Sequence, residues 1–221
     1  MVFFKRLSRL LAEKNIHFLG TTRKKSVEVL IAGEIRQIEE SLSKHKEDFA
    51  TGRWCARKLL KKIGVRSSSI LKGGEGEPIW PEGVVGSISH TRGAWCASLA
   101  SREHYLSLGI DIEPLARDVS RSAVRYFTTI EEREWLKKKK ERALYEKLVF
   151  CAKESIFKLL YPLLRSRFYF QSVTVFPPSR GTHFTALLNR DLNKIFRKGR
   201  RINGFYFHDK KWILVLTCLK G

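Results

Sequence analysis

The sequence lacks the cysteine patterns that bind zinc or form disulfide scaffolds. Its four cysteines, Cys55, Cys96, Cys151 and Cys218, form no CxxC pair and no cluster with histidine. Disulfide-rich domains and zinc sites need closely spaced cysteines or mixed Cys/His sets, so neither class is expected. The pattern predicts a reducing, cytoplasmic environment in which each cysteine serves as a small core residue.

Long apolar runs are also missing. Residues 1–11 contain apolar side chains, but Lys5, Arg6 and Arg9 interrupt them. A membrane span needs about 20 consecutive apolar residues, and a secretory leader needs an uninterrupted apolar stretch. We therefore expect no membrane span, and an ordinary first segment rather than a secretory leader. A transit peptide is the alternative for so basic a start, although Glu13 counts against it.

Acidic residues are scarce relative to basic ones. There are 22 Asp and Glu against 43 Lys and Arg, a formal net charge of +21. Such a field attracts anions, which include nucleic acid, phosphorylated small molecules, acidic proteins and anionic membrane surfaces. The charge does not choose among these partners. The basic runs at residues 137–140 and 197–201 are typical of solvated surface.

The apolar pattern predicts a globular α+β protein. With 221 residues, 43% of them hydrophobic, the chain can bury one large core or two small ones. Helical periodicity occurs at residues 34–42, 47–63, 120–140 (in two parts broken at Thr128–Thr129) and 141–160, where Pro162 is expected to end the helix. Strand patterns occur at residues 84–89, 94–100, 106–112, 168–175, 182–188, 204–207 and 212–218. We expect two similar α+β lobes, residues 1–108 and 109–221, with the active site between them.

Two carboxylates interrupt the third predicted strand. Asp111 and Glu113 are two residues apart, so in a strand they share one face, while Ile110 and Ile112 face the opposite side. Like charges held so close need a cation or a shared proton, and Mg2+ is the hard cation that carboxylates bind. A solvated polar strand face is the alternative interpretation.

Two further sites are ambiguous when taken singly. Glu154 and Lys158 are one helical turn apart, so they form either a surface ion pair or a third metal carboxylate with a lysine for a phosphate oxygen. Ser89 and His90 end the first strand and are either hydrogen-bonded structural residues or donors to phosphate.

Five short motifs occur in a fixed order. They are FATGRWCAR at 49–57, GEPIWP at 76–81, GSISH at 86–90, GIDIEP at 109–114 and FCAKESIFK at 150–158. The set resembles the surfactin-type 4'-phosphopantetheinyl transferases, in particular the branch of enterobactin synthase component D. The resemblance covers about residues 44–162, half of the chain.

The resemblance implies a reaction and its catalytic residues. Such enzymes transfer 4'-phosphopantetheine from coenzyme A to a serine of a carrier protein and release adenosine 3',5'-bisphosphate. Their fold is two related α+β lobes with coenzyme A and Mg2+ between them. Asp111, Glu113 and Glu154 would hold Mg2+ in the second lobe, which would also dock the carrier protein. Lys158 would neutralise charge on the departing bisphosphate, and Glu154, directly or through a water, would be the base.

The resemblance also implies a coenzyme A site in the first lobe. His90, with a catalytic role as well, and Ser89 would contact the phosphates, and Glu131 is a candidate supporting acid for the second lobe. Lys46, Arg53 and Lys72, beside Lys44 and His45, would surround the 3'-phosphate, and Glu75, Gly76, Glu77 and Pro78 would lie along the adenine. His45 stands where relatives often carry arginine, so Lys44 or Lys46 would take over its contact.

The positive charge fits this reaction. Coenzyme A is polyanionic and the apo carrier proteins of the family are typically acidic, so a charge of +21 would steer both. We expect a monomer with no nucleic-acid partner. The alternative is a metal-dependent nucleic-acid-processing protein, or a nucleic-acid-binding protein, that uses the basic surface.

Overall fold

The computed structural model describes residues 2–38, 43–66, 69–116, 119–177 and 181–221, without the side chains of Ser43 and Lys44. Lys44, one of the proposed phosphate contacts, therefore lies outside the described side chains. The chain divides into two compact units, Met1–Leu108 with Lys220–Gly221, and Gly109–Leu219. Both combine helices with an antiparallel sheet, which confirms the α+β prediction. Among the described residues, no helix is long and apolar enough to cross a membrane.

The first unit packs helices on a three-stranded sheet. Its elements are α1 (Val2–Ala12), β1 (His17–Thr21), α2 (Ala32–Ile35), α3 (Ser43–Lys62), β2 (Val84–Thr91) and β3 (Ala94–Ser101), with strand order β1-β3-β2. β2 and β3 form a hairpin in which Thr91 faces Ala94, and Gly93 closes the turn with φ of +87°. That left-handed conformation favours glycine.

Helix α3 supplies half of the buried residues in one core cluster of this unit. Cys55, Ala56, Leu59 and Leu60 are buried against Ala97 and Leu99 of the sheet. The helix ends as predicted near Gly64, which adopts φ of +78°. Gly64 N donates to Lys61 O, and Val65 N donates to Leu60 O, the paired hydrogen bonds of a glycine-terminated helix.

The predicted helix at residues 34–42 is wrong in extent. The described part contains only the single turn α2, Ala32–Ile35, and residues 39–42 lie outside the described ranges. The turn stays short because Glu34 and Gln37 point inward to bind loop backbone at Ile70 and Lys72. The first segment forms α1, which sequence reasoning did not identify, and buries Phe4, Leu7 and Leu11.

The second unit packs three helices on a five-stranded sheet. Its elements are β4 (Tyr105–Pro114), which begins in the first unit, α4 (Arg121–Phe127), α5 (Ile130–Lys137), α6 (Arg142–Leu164), β5 (Val173–Phe176), β6 (His183–Leu188), β7 (Arg201–His208) and β8 (Trp212–Lys220). The strand order is β4-β8-β7-β6-β5. The predicted break at Thr128–Thr129 is confirmed, and Thr129 caps α5 by accepting a hydrogen bond from Glu132 N.

Two boundaries in this unit differ from the prediction. Helix α6 continues past Pro162 to Leu164, where Arg165, with φ of 53°, ends it. Pro162 costs one backbone hydrogen bond and crowds the preceding turn, but it does not end the helix. The strand expected at 168–175 starts at Val173, because Phe170–Ser172 forms a 3-10 turn.

Candidate active site

Asp111 lies near the end of β4 and contacts α6 through both carboxylate oxygens. Lys158 Nζ lies 2.7 Å from Asp111 Oδ1, and Cys151 Sγ donates to Asp111 Oδ2 at 3.2 Å. Ile110 and Ile112 are fully buried, as the strand pattern predicts. Asp111 is itself only 5% exposed, so it is not part of a solvated polar face. A buried carboxylate in contact with an ammonium group marks this end of the strand as a charged site.

Four side chains of α6 share the face that meets β4. Lys147, Cys151, Glu154 and Lys158 recur at spacings of four, three and four, which places them in one row along the helix. Lys147, which sequence reasoning missed, is buried, and its charge opposes the rise in the pKa of Glu113 that burial causes. Lys147 is identifiable from the sequence, because it precedes Glu154 by two helical turns and therefore lies on the same face of the helix. The row therefore offers two ammonium groups, a thiol and a carboxylate to the strand.

The carboxylates at this site oppose one another's ionisation. Burial first, and then the charges of Asp111 and Glu154, raise the pKa of Glu113 to about 7, although Lys147 and Lys158 act in the opposite direction. Burial also raises the pKa of Glu154, which Lys158 opposes and Asp111 reinforces. Because burial and neighbouring carboxylates raise the pKa of Glu113, an added cation would favour its charged form.

The donor set fits a hard divalent cation. Three carboxylates whose charges repel one another, in a half-buried setting, provide the oxygen ligands that Mg2+ prefers. Across the described side chains, however, no three His, Cys, Asp or Glu groups are already gathered as metal ligands. The Lys158 ammonium contacts Asp111 directly. Metal binding would therefore require Asp111 to be shared with, or released from, Lys158.

Gly109 brings β4 unusually close to α6. A Cβ atom at this position would lie 1.9 Å from Ser155 O and 2.8 Å from Leu159 N. Ser155 Oγ donates to Gly109 O at 3.0 Å and shares a hydrogen bond with Thr217 Oγ1 at 2.8 Å. The strand and helix backbones touch because glycine has no side chain, and this contact sets Asp111 opposite Lys158.

In the first unit, β2 includes Ser89, as predicted, and also His90, which was expected to follow the strand. The strand continues to Thr91, with Ser89 opposite Cys96 and His90 opposite Trp95. Ser89 is 3% exposed, and its carbonyl accepts a hydrogen bond from Cys96 Sγ. His90 is exposed.

The predicted adenine segment forms a small closed loop. Lys72 and Pro78 pair as an isolated antiparallel bridge, and Gly73 N donates to Glu77 O at 2.7 Å. Glu75 N donates to Glu77 Oε2 at 3.0 Å, and Gly76 adopts φ of +87°. The loop therefore brings Lys72 together with the four predicted adenine contacts, Glu75, Gly76, Glu77 and Pro78.

Arg53 holds this loop from α3. Its Nε donates to Ile70 O at 2.7 Å, its guanidinium lies over the Phe49 ring, and the residue is 4% exposed. Burial lowers its pKa to about 10, with Arg57 acting in the same direction. Lys72 Nζ also lies over the Phe49 ring, at 5.2 Å. Lys46, on the first turns of α3, is partly buried. A direct phosphate contact by Lys46 or Arg53 remains a prediction.

A buried ion pair that sequence reasoning missed supports the same loop. Arg57 Nη1 donates to Glu34 Oε2, and Arg57 Nη2 donates to Val29 O. Glu34 is fully buried and also accepts Ile70 N at 3.1 Å. The arginine was identifiable from its place one turn after Arg53, but its acidic partner lies 23 residues earlier in the chain.

Replacing Arg57 with methionine should destabilise the first unit strongly. The change leaves the Glu34 carboxylate buried without its cation, which typically costs about 3–5 kcal/mol of unfolding free energy. Urea denaturation of Arg57→Met measures the loss. The double variant Glu34→Gln with Arg57→Met removes the uncompensated charge and should recover part of it. Equal stability of wild type and Arg57→Met would contradict the role assigned to the pair.

Lys153, beside Glu154 in the sequence, is almost completely buried. Its ammonium donates to Glu132 Oε2 and Phe127 O, both at 2.7 Å, and to Phe170 O at 3.1 Å. Glu131, the expected supporting acid, is exposed instead, and its neighbour Glu132 is the buried one. The spacing from Thr129 to Glu132 is that of a helix capping box, and this signal distinguishes the two glutamates.

Comparisons with known proteins place these features in one family. Residues 34–100 match the model of the 4'-phosphopantetheinyl transferase N-terminal domain, and residues 107–206 match that of the 4'-phosphopantetheinyl transferase superfamily. The chain is 35% identical to 4'-phosphopantetheinyl transferase Svp of Streptomyces mobaraensis over 87% of this chain and 79% of Svp. It is 34% identical to PptT of Mycobacterium tuberculosis over 76% of this chain and 72% of PptT.

A third relative matches over a shorter stretch. Npt of Nocardia iowensis is 40% identical over 57% of this chain, which spans 56% of the length of Npt. The relatives do not separate the enterobactin synthase component D branch from the others, so that branch remains a prediction. Two matched family models in chain order, and two relatives covered over more than two thirds of their length, establish that the chain belongs to the 4'-phosphopantetheinyl transferase family.

Proposed function

We propose that the protein transfers 4'-phosphopantetheine from coenzyme A to a serine of an apo acyl or peptidyl carrier protein, with Mg2+, and releases adenosine 3',5'-bisphosphate. The observation that carries this proposal is the site on β4 and α6, where Asp111 contacts Lys158 at 2.7 Å beside two carboxylates of raised pKa. A solvated strand face would need neither the burial nor the ammonium group. Family membership supplies the reaction that such a site would perform.

The chemistry requires neutralised phosphate charge and one proton acceptor. The serine oxygen forms a bond to the phosphorus that carries pantetheine, while the bond from that phosphorus to the bridging pyrophosphate oxygen breaks. Mg2+, held by Asp111, Glu113 and Glu154, would neutralise charge on the pyrophosphate. Lys158, once turned from Asp111, would place its ammonium against a phosphate oxygen. Glu154, directly or through one water, would take the serine proton.

The first unit would hold coenzyme A. We assign the pyrophosphate contacts to Ser89 and the exposed His90, and the 3'-phosphate contacts to Lys46 and Lys72. Arg53 would support this site by holding the carbonyls of Ile70 and Leu71. The adenine would lie along the closed loop at residues 75–78. We further propose that the protein acts as a monomer in the cytoplasm on acidic carrier proteins.

Incubation with coenzyme A, Mg2+ and an apo carrier protein tests the proposal. The carrier should gain the mass of phosphopantetheine, and adenosine 3',5'-bisphosphate should appear in equal amount. Chelation of the divalent cation should stop both. Parallel reactions with single- and double-stranded nucleic acid test the alternative. Cleavage of nucleic acid, with no mass gain on several different carriers, would overturn the proposal.

A further inference from the structure

The three donor positions of the Lys153 ammonium group are all used by the protein itself. Lys153 is 2% exposed, and its acceptors lie on three separate segments, α5, the end of α4 and the 3-10 turn before β5. A lysine has three N–H donors, so no donor remains for a substrate. Lys153 therefore does not act on the reacting atoms, although it sits in the same motif as Glu154.

Both carboxylate oxygens of Glu132 also accept hydrogen bonds from the protein. Its Oε2 accepts from Lys153 and from Thr129 N, and its Oε1 accepts from Val175 N at 2.7 Å. The residue is 2% exposed. The carboxylate thus ties the start of α5 and strand β5 to helix α6. A buried pair with every partner satisfied is rigid, because any displacement leaves a charge without compensation.

Lys153 and Ser155 hold α6 from nearly opposite sides. Successive residues of an α-helix are rotated by about 100°, so Lys153 and Ser155 lie about 200° apart with Glu154 midway between them. Ser155 is bonded to Gly109 O and Thr217 Oγ1, and Lys153 to α5 and the turn at Phe170. A helix anchored on both sides cannot rotate about its axis. Together with the apolar packing of α6 in the core, these two anchors set the direction of Glu154, and of Lys158 one turn later.

We infer that the Lys153–Glu132 pair is a clamp that fixes the rotation of α6 and holds Glu154 and Lys158 toward Asp111. Lys153 is then a positioning residue for the proposed transfer reaction, on which this inference rests. The Ser155 contact fixes one side of the helix, and without the clamp α6 can turn about that contact. The carboxylate of Glu154 would then leave the row that faces Asp111 and Glu113.

The test compares Lys153→Met with a control that loses stability without touching the clamp. Ile202→Ala removes a side chain that is buried in the core of the same unit and is not bonded to Lys153, Glu132 or Ser155. Both variants are assayed at a temperature where circular dichroism shows full folding. Should Lys153→Met fail to fold, the double variant Glu132→Gln with Lys153→Met removes the unpaired carboxylate and takes its place.

Two readouts do not depend on the transfer reaction. The first is Mn2+ binding measured by electron paramagnetic resonance, where the dissociation constant should rise about 10- to 100-fold, as for loss of a residue that orients metal ligands. The second is alkylation of Cys151 by iodoacetamide, located by peptide mass mapping. Cys151 is fully buried one turn from Glu154, so rotation of α6 should speed its modification about tenfold or more.

The kinetic readout separates positioning from substrate binding. We expect kcat for transfer to fall with little change in KM for coenzyme A, and Lys153→Arg, which keeps the charge and several donors, to recover part of the loss. Mn2+ affinity and Cys151 alkylation that match those of Ile202→Ala would overturn the clamp. Faster Cys151 alkylation in Lys153→Met, together with a wild-type protein that modifies no carrier, would keep the clamp and refute the proposed function instead.

Discussion

Gly109→Ala should be among the most damaging single substitutions in the second unit. The added methyl group would lie 1.9 Å from Ser155 O, 2.7 Å from Thr217 Oγ1 and 2.8 Å from Leu159 N. Two of these atoms are helix backbone, which cannot move aside without displacing α6 from β4. Overpacking of this kind costs about 1–3 kcal/mol or more, and we expect the upper end of that range. Urea denaturation followed by tryptophan fluorescence measures the loss.

Transfer activity should fall further than the loss of stability alone explains. Any shift of α6 from β4 lengthens the 2.7 Å contact between Lys158 and Asp111 and moves Glu154 with it. Gly221→Ala is the matched control, because a Cβ atom there meets only Leu106 Cδ2, at an ordinary contact distance of 3.9 Å. A Gly109→Ala protein that melts like wild type and keeps full activity would show that the close approach is not needed.

The strand pattern predicted half of the candidate site. Alternation alone placed Ile110 and Ile112 in the core and set Asp111 and Glu113 on the other face, and the burial of both isoleucines confirms the prediction for that pair. Helical spacing placed Glu154 and Lys158 one turn apart. These relations are local, because they follow from the repeat of a single strand or helix. Local periodicity does not reveal that Lys158 reaches across to Asp111.

Three partners missed by sequence reasoning, Cys151, Glu34 and Glu132, depend on long-range contacts. A cysteine such as Cys151 is typical of a core position. The packing of α6 on β4 makes its thiol a hydrogen-bond donor to Asp111, 40 residues away. Burial, followed by the charge of Asp111, raises the pKa of this thiol well above its usual value, so it remains a neutral donor. Glu34 and Glu132 are likewise acids that find a buried cation 23 and 21 residues away. Composition favours the surface for such acids, and tertiary pairing overrides that preference.

The predicted boundaries of helices and strands are wrong where buried side-chain contacts override the local apolar pattern. The 3-10 turn at Phe170–Ser172 replaces the start of a predicted strand, because Phe170 O accepts from Lys153 and its ring packs against Tyr126. The one-turn α2 ends where Glu34 and Gln37 turn inward to the loop at residues 70–72. In both places, a buried polar contact made by a distant residue decides the local conformation.

Glu154→Gln should abolish most of the transfer activity while the protein stays folded. The amide has nearly the shape of the carboxylate, so packing on α6 is preserved, but it accepts no proton and is a poor ligand for a hard cation. Loss of a positioned base lowers rates by about 10²- to 10⁴-fold, and loss of a metal ligand acts in the same direction. We therefore expect kcat to fall by at least about 10²-fold in the carrier mass assay, with an unchanged urea midpoint or a small gain, since burial opposes the charge of Glu154.

The control for this variant is the same chemical change at an exposed site. Glu134 lies on α5, more than half exposed, and its carboxylate contacts only Lys137 among the described ion pairs. Glu134→Gln should leave kcat unchanged, because a surface pair of this kind contributes little and lies outside the row on α6. Activity of Glu154→Gln close to that of Glu134→Gln would remove Glu154 from the reaction. The base would then have to be sought elsewhere at the site, with Glu113 the remaining carboxylate of raised pKa beside Asp111.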